Sequence, residues 1–259
     1  MTTNPVRTVH VAVNGPIGRV TLDAPDRLNA VDTAMLTALA DAFEELGARQ
    51  DVRVITLTGT GHGFCAGVNL FVREGEEIGA ATVQAAGRAV QAMTKAPQAV
   101  VSLVNGVAAG VGMSLALAAD YCLASESASF VLAFSKIGLM PDGGATELVA
   151  ASVGRARAMR LALTAENLTA ARAAEVGLIA EAVADASFSA RSEAVVDHLL
   201  SLAPRATELT KLAINAATLD LESTLEREER GQVALLASTD FDEGAAAFRE
   251  RRPAVFPGG

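Results

Sequence analysis

Two passages of this chain share one pattern: a run of β-branched residues, then a glycine-rich loop, with a helical segment beyond it. VRVITLTG at 52–59 runs into GTGHGFCAG, and residues 80–96 follow with helical periodicity. QAVVSLVNG at 98–106 runs into AGVGMSLALAAD at 109–120, a helix that opens in glycines. Continuous β-branched runs suit strands buried on both faces, as in parallel sheets. Strands that repeatedly feed helices argue for α/β layering.

The flanking segments extend this frame. VRTVHVAV (6–13) and IGRVTL (17–22) read as strands joined at NGPIG, a hairpin. Met35, Leu36, Leu39, Phe43 and Leu46 recur at helical spacing over 32–48, with Asp32 placed to cap. DYCLAS and ASFVLA are short strand candidates. Helical candidates then dominate: 155–164, 168–175, 187–202, 204–218, 221–238 and 241–250. The expectation is an α/β core over residues 1–195 and a helical C-terminal region over 196–259, with Pro204 close to the boundary.

Composition narrows the function classes. Half of the 259 residues are hydrophobic, enough for a large core, yet no apolar run reaches the ~18 residues of a membrane span. The opening MTTNPVRTVHV lacks the apolar core of a signal peptide and the Arg/Ser-rich look of a transit peptide. A formal charge of −9 leaves no basic footprint for nucleic acid; the cluster Arg249, Arg251 and Arg252 reads as a solvated helix end. Two cysteines, Cys65 and Cys122, make no disulfide framework and, with His62, too few ligands for a metal cage. A cytoplasmic protein with no metal, membrane or nucleic-acid partner is expected.

At both glycine loops the main-chain N–H groups that open a helix are free to bind an anion or a developing oxyanion. Loop composition alone favours the plainer reading, a tight turn or close helix–strand packing. Gly61-His62-Gly63-Phe64-Cys65-Ala66 fits a dinucleotide fingerprint, but the next strand ends in Val104-Asn105-Gly106 without the acid that fold requires. No G-x-S-x-G elbow is present.

Five segments in order carry a resemblance: RLNAVDTAML (27–36), VRVITLTGTGHGFCAGVNL (52–70), VNGVAAGVGMSLALAADYCLASESASF (104–130), KIGLMPDGGAT (136–146) and DFDEGAAAFRERRPAVFPG (240–258). From about residue 10 to its end the chain resembles the enoyl-CoA hydratase/isomerase, or crotonase, family. The resemblance implies an α/β spiral of repeated ββα units with a helical C-terminal trimerisation region. It implies an acyl-CoA thioester as partner, with coenzyme A part of the substrate and no separate cofactor. It also implies a homotrimer, or a hexamer built as a dimer of trimers. The two oxyanion loops of the family place the N–H groups of Val68 and Val111 on the thioester oxygen. Arg27, Ala30, Ala66, Gly67, Leu70, Gly110, Phe134, Leu139 and Phe256 fall in segments that line the substrate, and Arg252 lies near coenzyme A. Asn69 is placed to cap a helix opening at Leu70.

The hydratases of this family use two glutamates for water addition. Their positions hold Ser114 and Phe134 here, and neither can shuttle a carboxylate proton. Asp142, in LMPDGG, stands at another catalytic position of the family, and its surroundings are similar to the PaaG-type isomerases of phenylacetate breakdown. On residues alone Asp142 is as readily a turn or helix-capping aspartate. With the resemblance it becomes the base that moves a proton from C2 to C4 of a 3-enoyl thioester, its pKa raised by an apolar wall from Phe134, Leu139 and Met140. Ring-opening isomerisation, hydration, dehalogenation with Asp142 as nucleophile, and a silent acyl-CoA-binding subunit are the alternatives.

Overall fold

The computed structural model describes residues 8–71 and 78–258. The chain opens with the expected hairpin, β1 (Thr8–Asn14) and β2 (Ile17–Asp23), closed by a two-residue turn in which Gly15 sits at φ +58°. Asp32 caps α1 (Thr33–Ala48) by accepting from Met35 N at 2.9 Å. Then come β3 (Val54–Gly59), β4 (Gly63–Cys65) and α2 (Ala80–Lys95), followed by β5 (Ala99–Val104), β6 (Val107–Ala109) and α3 (Val111–Leu117). A third turn of the spiral is β7 (Tyr121–Ser125), β8 (Ser129–Val131), a 3-10 helix (Ala133–Ile137) and α4 (Ala145–Val153). The remainder is α5 (Arg155–Thr164), β9 (Leu168–Thr169), α6 (Ala170–Glu175), β10 (Glu181–Val183), α7 (Phe188–Ser201), α8 (Pro204–Thr218), α9 (Leu221–Leu236) and α10 (Thr239–Glu250).

The repeat is a ββα unit. Among the described residues, the first strand of each later unit joins a six-stranded sheet of order β1-β2-β3-β5-β7-β10, and the second joins a four-stranded sheet of order β4-β6-β8-β9. From β2 to β10 the large sheet is parallel, and β3 and β5 bury nearly every residue, as their β-branched runs require. The small sheet is built from strands of two or three residues, too short to show a clear alternation; of its strands only β8 falls in an expected one, ASFVLA.

This second sheet corrects the element boundaries. The helix expected over 109–120 runs only from Val111 to Leu117, because Val107–Ala109 pair with Ser129–Val131. The helix expected at 168 starts at Ala170, since Leu168 and Thr169 pair with Phe130 and Ser129, and Thr169 becomes the cap. α4 is the helix after GGAT that a capping Asp142 would open. Leu70 and Phe71 lie in no helix among the described residues, and Asn69 holds them in a local turn, accepting from Phe71 N and donating to Phe71 O, each at 3.1 Å. Residues 72–77, where such a helix would continue, lie outside the described residues.

Candidate active site

The two glycine loops meet. Gly67 (φ +96°) and Gly110 (φ +53°) both occupy the left-handed region that favours glycine. A Cβ on Gly67 would stand 2.9 Å from the Ala109 carbonyl oxygen. One on Gly110 would stand 3.8 Å from Gly67 Cα. Behind them, a Cβ on Gly112 would meet the Cys65 carbonyl oxygen at 2.1 Å, so α3 packs directly on β4. Close packing and a free anion-binding edge are therefore one feature: the loops touch because nothing projects between them.

Their main-chain hydrogen bonds leave two donors over. Val31 N donates to Gly67 O and Asn69 N to Val31 O, both at 2.8 Å, so the residues flanking Val68 carry the bridge and the Val68 N–H points off it. Gly110 N donates to Val131 O, while Met113 N and Ser114 N return to Gly110 O. Val111, the first residue of α3, has no acceptor inside its own helix. Among the described residues neither N–H enters a hydrogen bond, and both residues line a cavity of about 170 Å³.

Two asparagines hold the first loop, Asn29 fully buried and Asn105 half-buried. Asn29, at φ +58°, accepts from Ala24 N and donates to Thr60 O and Gly63 O. Asn105 donates to Gly59 O at 2.9 Å and Gly61 O at 3.0 Å. Asparagine is one of the few side chains that tolerates the left-handed region, which is why it stands in RLNAVD.

Asp142 enters the cavity between the 3-10 helix and α4. It does not cap α4. That work falls to Glu228 of α9, which accepts from Gly144 N (2.6 Å), Thr146 N (2.9 Å) and Thr146 Oγ1 (2.6 Å). Asp142 Oδ2 accepts from Gln232 Nε2 at 2.9 Å, and Oδ1 is buried with no partner among the described residues. Burial pushes the Asp142 carboxyl up to about 7; the Gln232 bond works against that shift and the Glu228 charge adds to it. A buried carboxylate oxygen without a partner is costly, and such costs concentrate at functional sites.

Of the residues expected at the site, Ala66, Gly67, Val68, Leu70, Gly110, Val111, Phe134, Leu139 and Asp142 line this one cavity. Arg27, Ala30 and Phe256 do not. Arg27 sits on a 3-10 turn at Pro25–Arg27 beside Asp26, Ala30 is buried, and Phe256 is exposed near the C-terminus. Arg252 is held by Glu243 and Glu250. Met140 turns its sulfur toward Gly231 of α9, where a Cβ would meet it at 2.3 Å, instead of walling the cavity. Ser114 Oγ donates to the Asp142 carbonyl at 2.8 Å, and Phe134 is buried against the loops. Burial raises the Cys65 thiol to about 12, which keeps it inert, and His62 is exposed. Among the described residues no three His, Cys, Asp or Glu side chains gather to hold a metal ion, and no helix is long and apolar enough to cross a membrane.

The sequence reading missed Gln232 and Glu228. Their signal was present as Thr224, Glu228 and Gln232, polar side chains at successive i, i+4 positions, all buried on the inner face of α9.

Residues 12–259 match the family model described as enoyl-CoA hydratase/isomerase. The chain belongs to that family. A relative from Rhodobacter capsulatus named "Probable enoyl-CoA hydratase" is 41% identical, covering 97% of this chain and 98% of its own. The 1,2-epoxyphenylacetyl-CoA isomerase of Escherichia coli is 38% identical, covering 92% of this chain and 94% of its own. A crystal structure of an enoyl-CoA hydratase from Mycobacterium avium subsp. paratuberculosis superimposes with a TM-score of 0.91 at 45% identity, covering 97% of this chain and 99% of that one. The ββα spiral is thus the fold of this family, and the chain is an enzyme of the acyl-CoA class.

Proposed function

We propose that this family member is an enoyl-CoA isomerase that converts a 3-enoyl thioester to the conjugated 2-enoyl thioester. The observation that carries the reading is the placement of Asp142. It shares an apolar cavity with the two unpaired N–H donors of Val68 and Val111, while the positions of the hydratase glutamates hold a serine spent on a carbonyl and a buried phenylalanine.

The C2 protons of a 3-enoyl thioester are acidic because the carbanion delocalises into both carbonyl and alkene. Asp142 takes one, and the C–H electron pair moves into the π system. Charge gathers on the thioester oxygen, held by the N–H groups of Val68 and Val111. The double bond between C3 and C4 becomes one between C2 and C3 as Asp142 returns the proton to C4. A carboxyl raised to about 7 is matched to both halves of that shuttle at neutral pH. Phe134 and Leu139 keep water from the intermediate.

Isomerisation of a ring-derived thioester is the second reading, favoured by the E. coli relative that bears the name 1,2-epoxyphenylacetyl-CoA isomerase. The same base and the same oxyanion donors would serve it. A cytoplasmic trimer, singly or paired into a hexamer, belongs to the proposal; exposed Leu209, Leu212 and Ile214 on α8 support an associating helical region.

The test is ultraviolet absorbance of the conjugated thioester. A rise with a 3-enoyl-CoA, lost in Asp142→Asn, with no decay of a 2-enoyl-CoA, is the expected result. Decay of the 2-enoyl-CoA would establish a hydratase and overturn the reading. No change with either would leave the ring substrate or a silent acyl-CoA binder.

A further inference from the structure

We propose that Gln232 is a positioning residue that ties down Oδ2 of Asp142 and leaves Oδ1 as the oxygen that takes and returns the proton. The proposal rests on Asp142 being the proton carrier and adds which atom carries it and what aims that atom.

The Gln232 amide is engaged at both ends. Oε1 accepts from Met140 N at 3.1 Å, and Nε2 donates to Asp142 Oδ2 at 2.9 Å. A main-chain N–H can only donate, so it fixes which end of the amide faces it. The NH2 group is thereby obliged to face Asp142. Gln232 is 2% exposed, and both ends of its amide are taken by protein partners. It also spans the segment Met140–Asp142, holding the main chain at one residue and the carboxylate two residues later.

α9 is pinned on this segment by more than Gln232. Glu228, one turn earlier, takes the first N–H groups of α4. Between the two, Gly231 admits the Met140 side chain, which any Cβ would strike. A glutamine held by its neighbours on both sides cannot follow a carboxylate that rotates. Its bond therefore selects one rotamer of Asp142, in which Oδ1 alone is unpartnered.

A proton carrier that serves two carbons of one substrate gains from this arrangement. With both oxygens free, the carboxylate could turn away between removal and return. With one tied, the same oxygen meets both carbons through a small tilt, and little reorganisation is spent at the moment of transfer. Other charged groups do not supply the anchor. Glu228 contributes a like charge from α9, Lys136 on the 3-10 helix lines the same cavity, and His10, His62 and His198 are all exposed.

Two variants of the full chain test the proposal. Gln232→Met fills the same space and makes neither bond. Gln232→Glu makes both bonds while its carboxyl is protonated and neither the donation nor the charge balance once it ionises. For each, kcat and KM on a 3-enoyl-CoA are followed against pH, and the Asp142 carboxyl is titrated by carboxyl-carbon NMR, assigned by difference from Asp142→Asn. The expected Gln232→Met enzyme loses about 10- to 100-fold in kcat with KM held within about threefold. Its Asp142 midpoint and the acid limb of kcat move up together, because the lost bond favoured the ionised form. The Gln232→Glu enzyme is expected to give a bell where the parent gives a plateau. A Gln232→Met enzyme with parental kcat and an unmoved Asp142 midpoint overturns the proposal. If that variant does not fold, a Gln232→Glu profile parallel to the parent overturns it instead. Should the parent turn over no 3-enoyl-CoA, the isomerase reading fails alone; the NMR midpoint then decides whether Gln232 positions Asp142.

Discussion

Ser114 donates its hydroxyl to the main-chain carbonyl of Asp142 across 2.8 Å. The residue standing where the family's hydratases carry a carboxylate is here a brace for the aspartate that remains. Both side chains are buried, and a Cβ on Gly143, the residue after Asp142, would meet Ser114 Cβ at 3.2 Å.

Ser114→Ala removes the brace without adding bulk. The expected cost in stability is about 1 kcal/mol, the net worth of a typical hydrogen bond. The expected signature in kinetics is a lower kcat with KM nearly unchanged, since the bond orients Asp142 and touches no substrate. Urea unfolding and steady-state kinetics on the same preparation check both halves. A rise in KM alone would place Ser114 in substrate binding.

Asp142→Asn is expected to lower isomerase turnover by about 10²–10⁴-fold, the span supplied by a positioned acid-base group. The same substitution is expected to raise stability at alkaline pH. The folded-state pKa of Asp142 lies above its ordinary value, so the native state binds this proton more tightly than the unfolded chain does. That contribution is fully present below the unfolded value near 3.8 and is lost as pH rises through about 7. At about 1.4 kcal/mol per pKa unit, the parent forfeits about 4 kcal/mol across that window, to the nearest few. Thermal melts at pH 5 and pH 8 should show Asp142→Asn gaining more on the parent at the higher pH, because only the first part of that window is spent by pH 5. Parallel melting curves would mean that the carboxyl is not desolvated.

Gly112→Ala probes the contact between α3 and β4. Its new methyl group would meet the Cys65 carbonyl oxygen at 2.1 Å, and main chain on both sides leaves no flexible group to yield. The expected result is a loss of more than about 3 kcal/mol, beyond the common range for a point substitution, or no soluble protein. Gly154→Ala is the control for backbone strain without collision, because Gly154 has φ +75° and open space around it. With ψ at 160° it lies in a region essentially confined to glycine, so the substitution should cost about 1–3 kcal/mol. Equal costs for the two would remove the contact as the reason for glycine at 112.

Lys211 anchors α8 to the core through Asp120 Oδ2 (2.8 Å), Met93 O (3.0 Å) and Gln98 O (3.2 Å). Burial lowers the Lys211 pKa and raises that of Asp120, and their mutual attraction opposes both shifts. Asp120→Ala strands a buried ammonium. It should cost about 2–3 kcal/mol, at the low end for a broken buried pair because a quarter of the Asp120 side chain is exposed. Lys211→Met combined with Asp120→Ala should recover part of that loss, as a denaturation series on the two single variants and the double would show.

Five strands of the large sheet, the two glycine loops and most helices are legible along the chain; β10, three half-buried residues at Glu181–Val183, is not. Val54–Gly59 and Ala99–Val104 are legible because a strand buried on both faces needs an unbroken apolar run, and Thr33–Ala48 because its apolar side chains repeat with the helical turn. The sequence also marked Asp142, through the motif around it. That Asp142 caps no helix is visible only in the folded chain. That outcome depends on Glu228 filling the end of α4 and Gln232 reaching a carboxylate 90 positions away. The small sheet was decided in the same way, its two- and three-residue strands existing only because neighbouring turns of the spiral bring them into register. Local pattern records what each segment buries. Which buried polar group meets which is set by the closing of the whole chain, since a hydrogen bond between distant residues leaves no period in the sequence that encodes it.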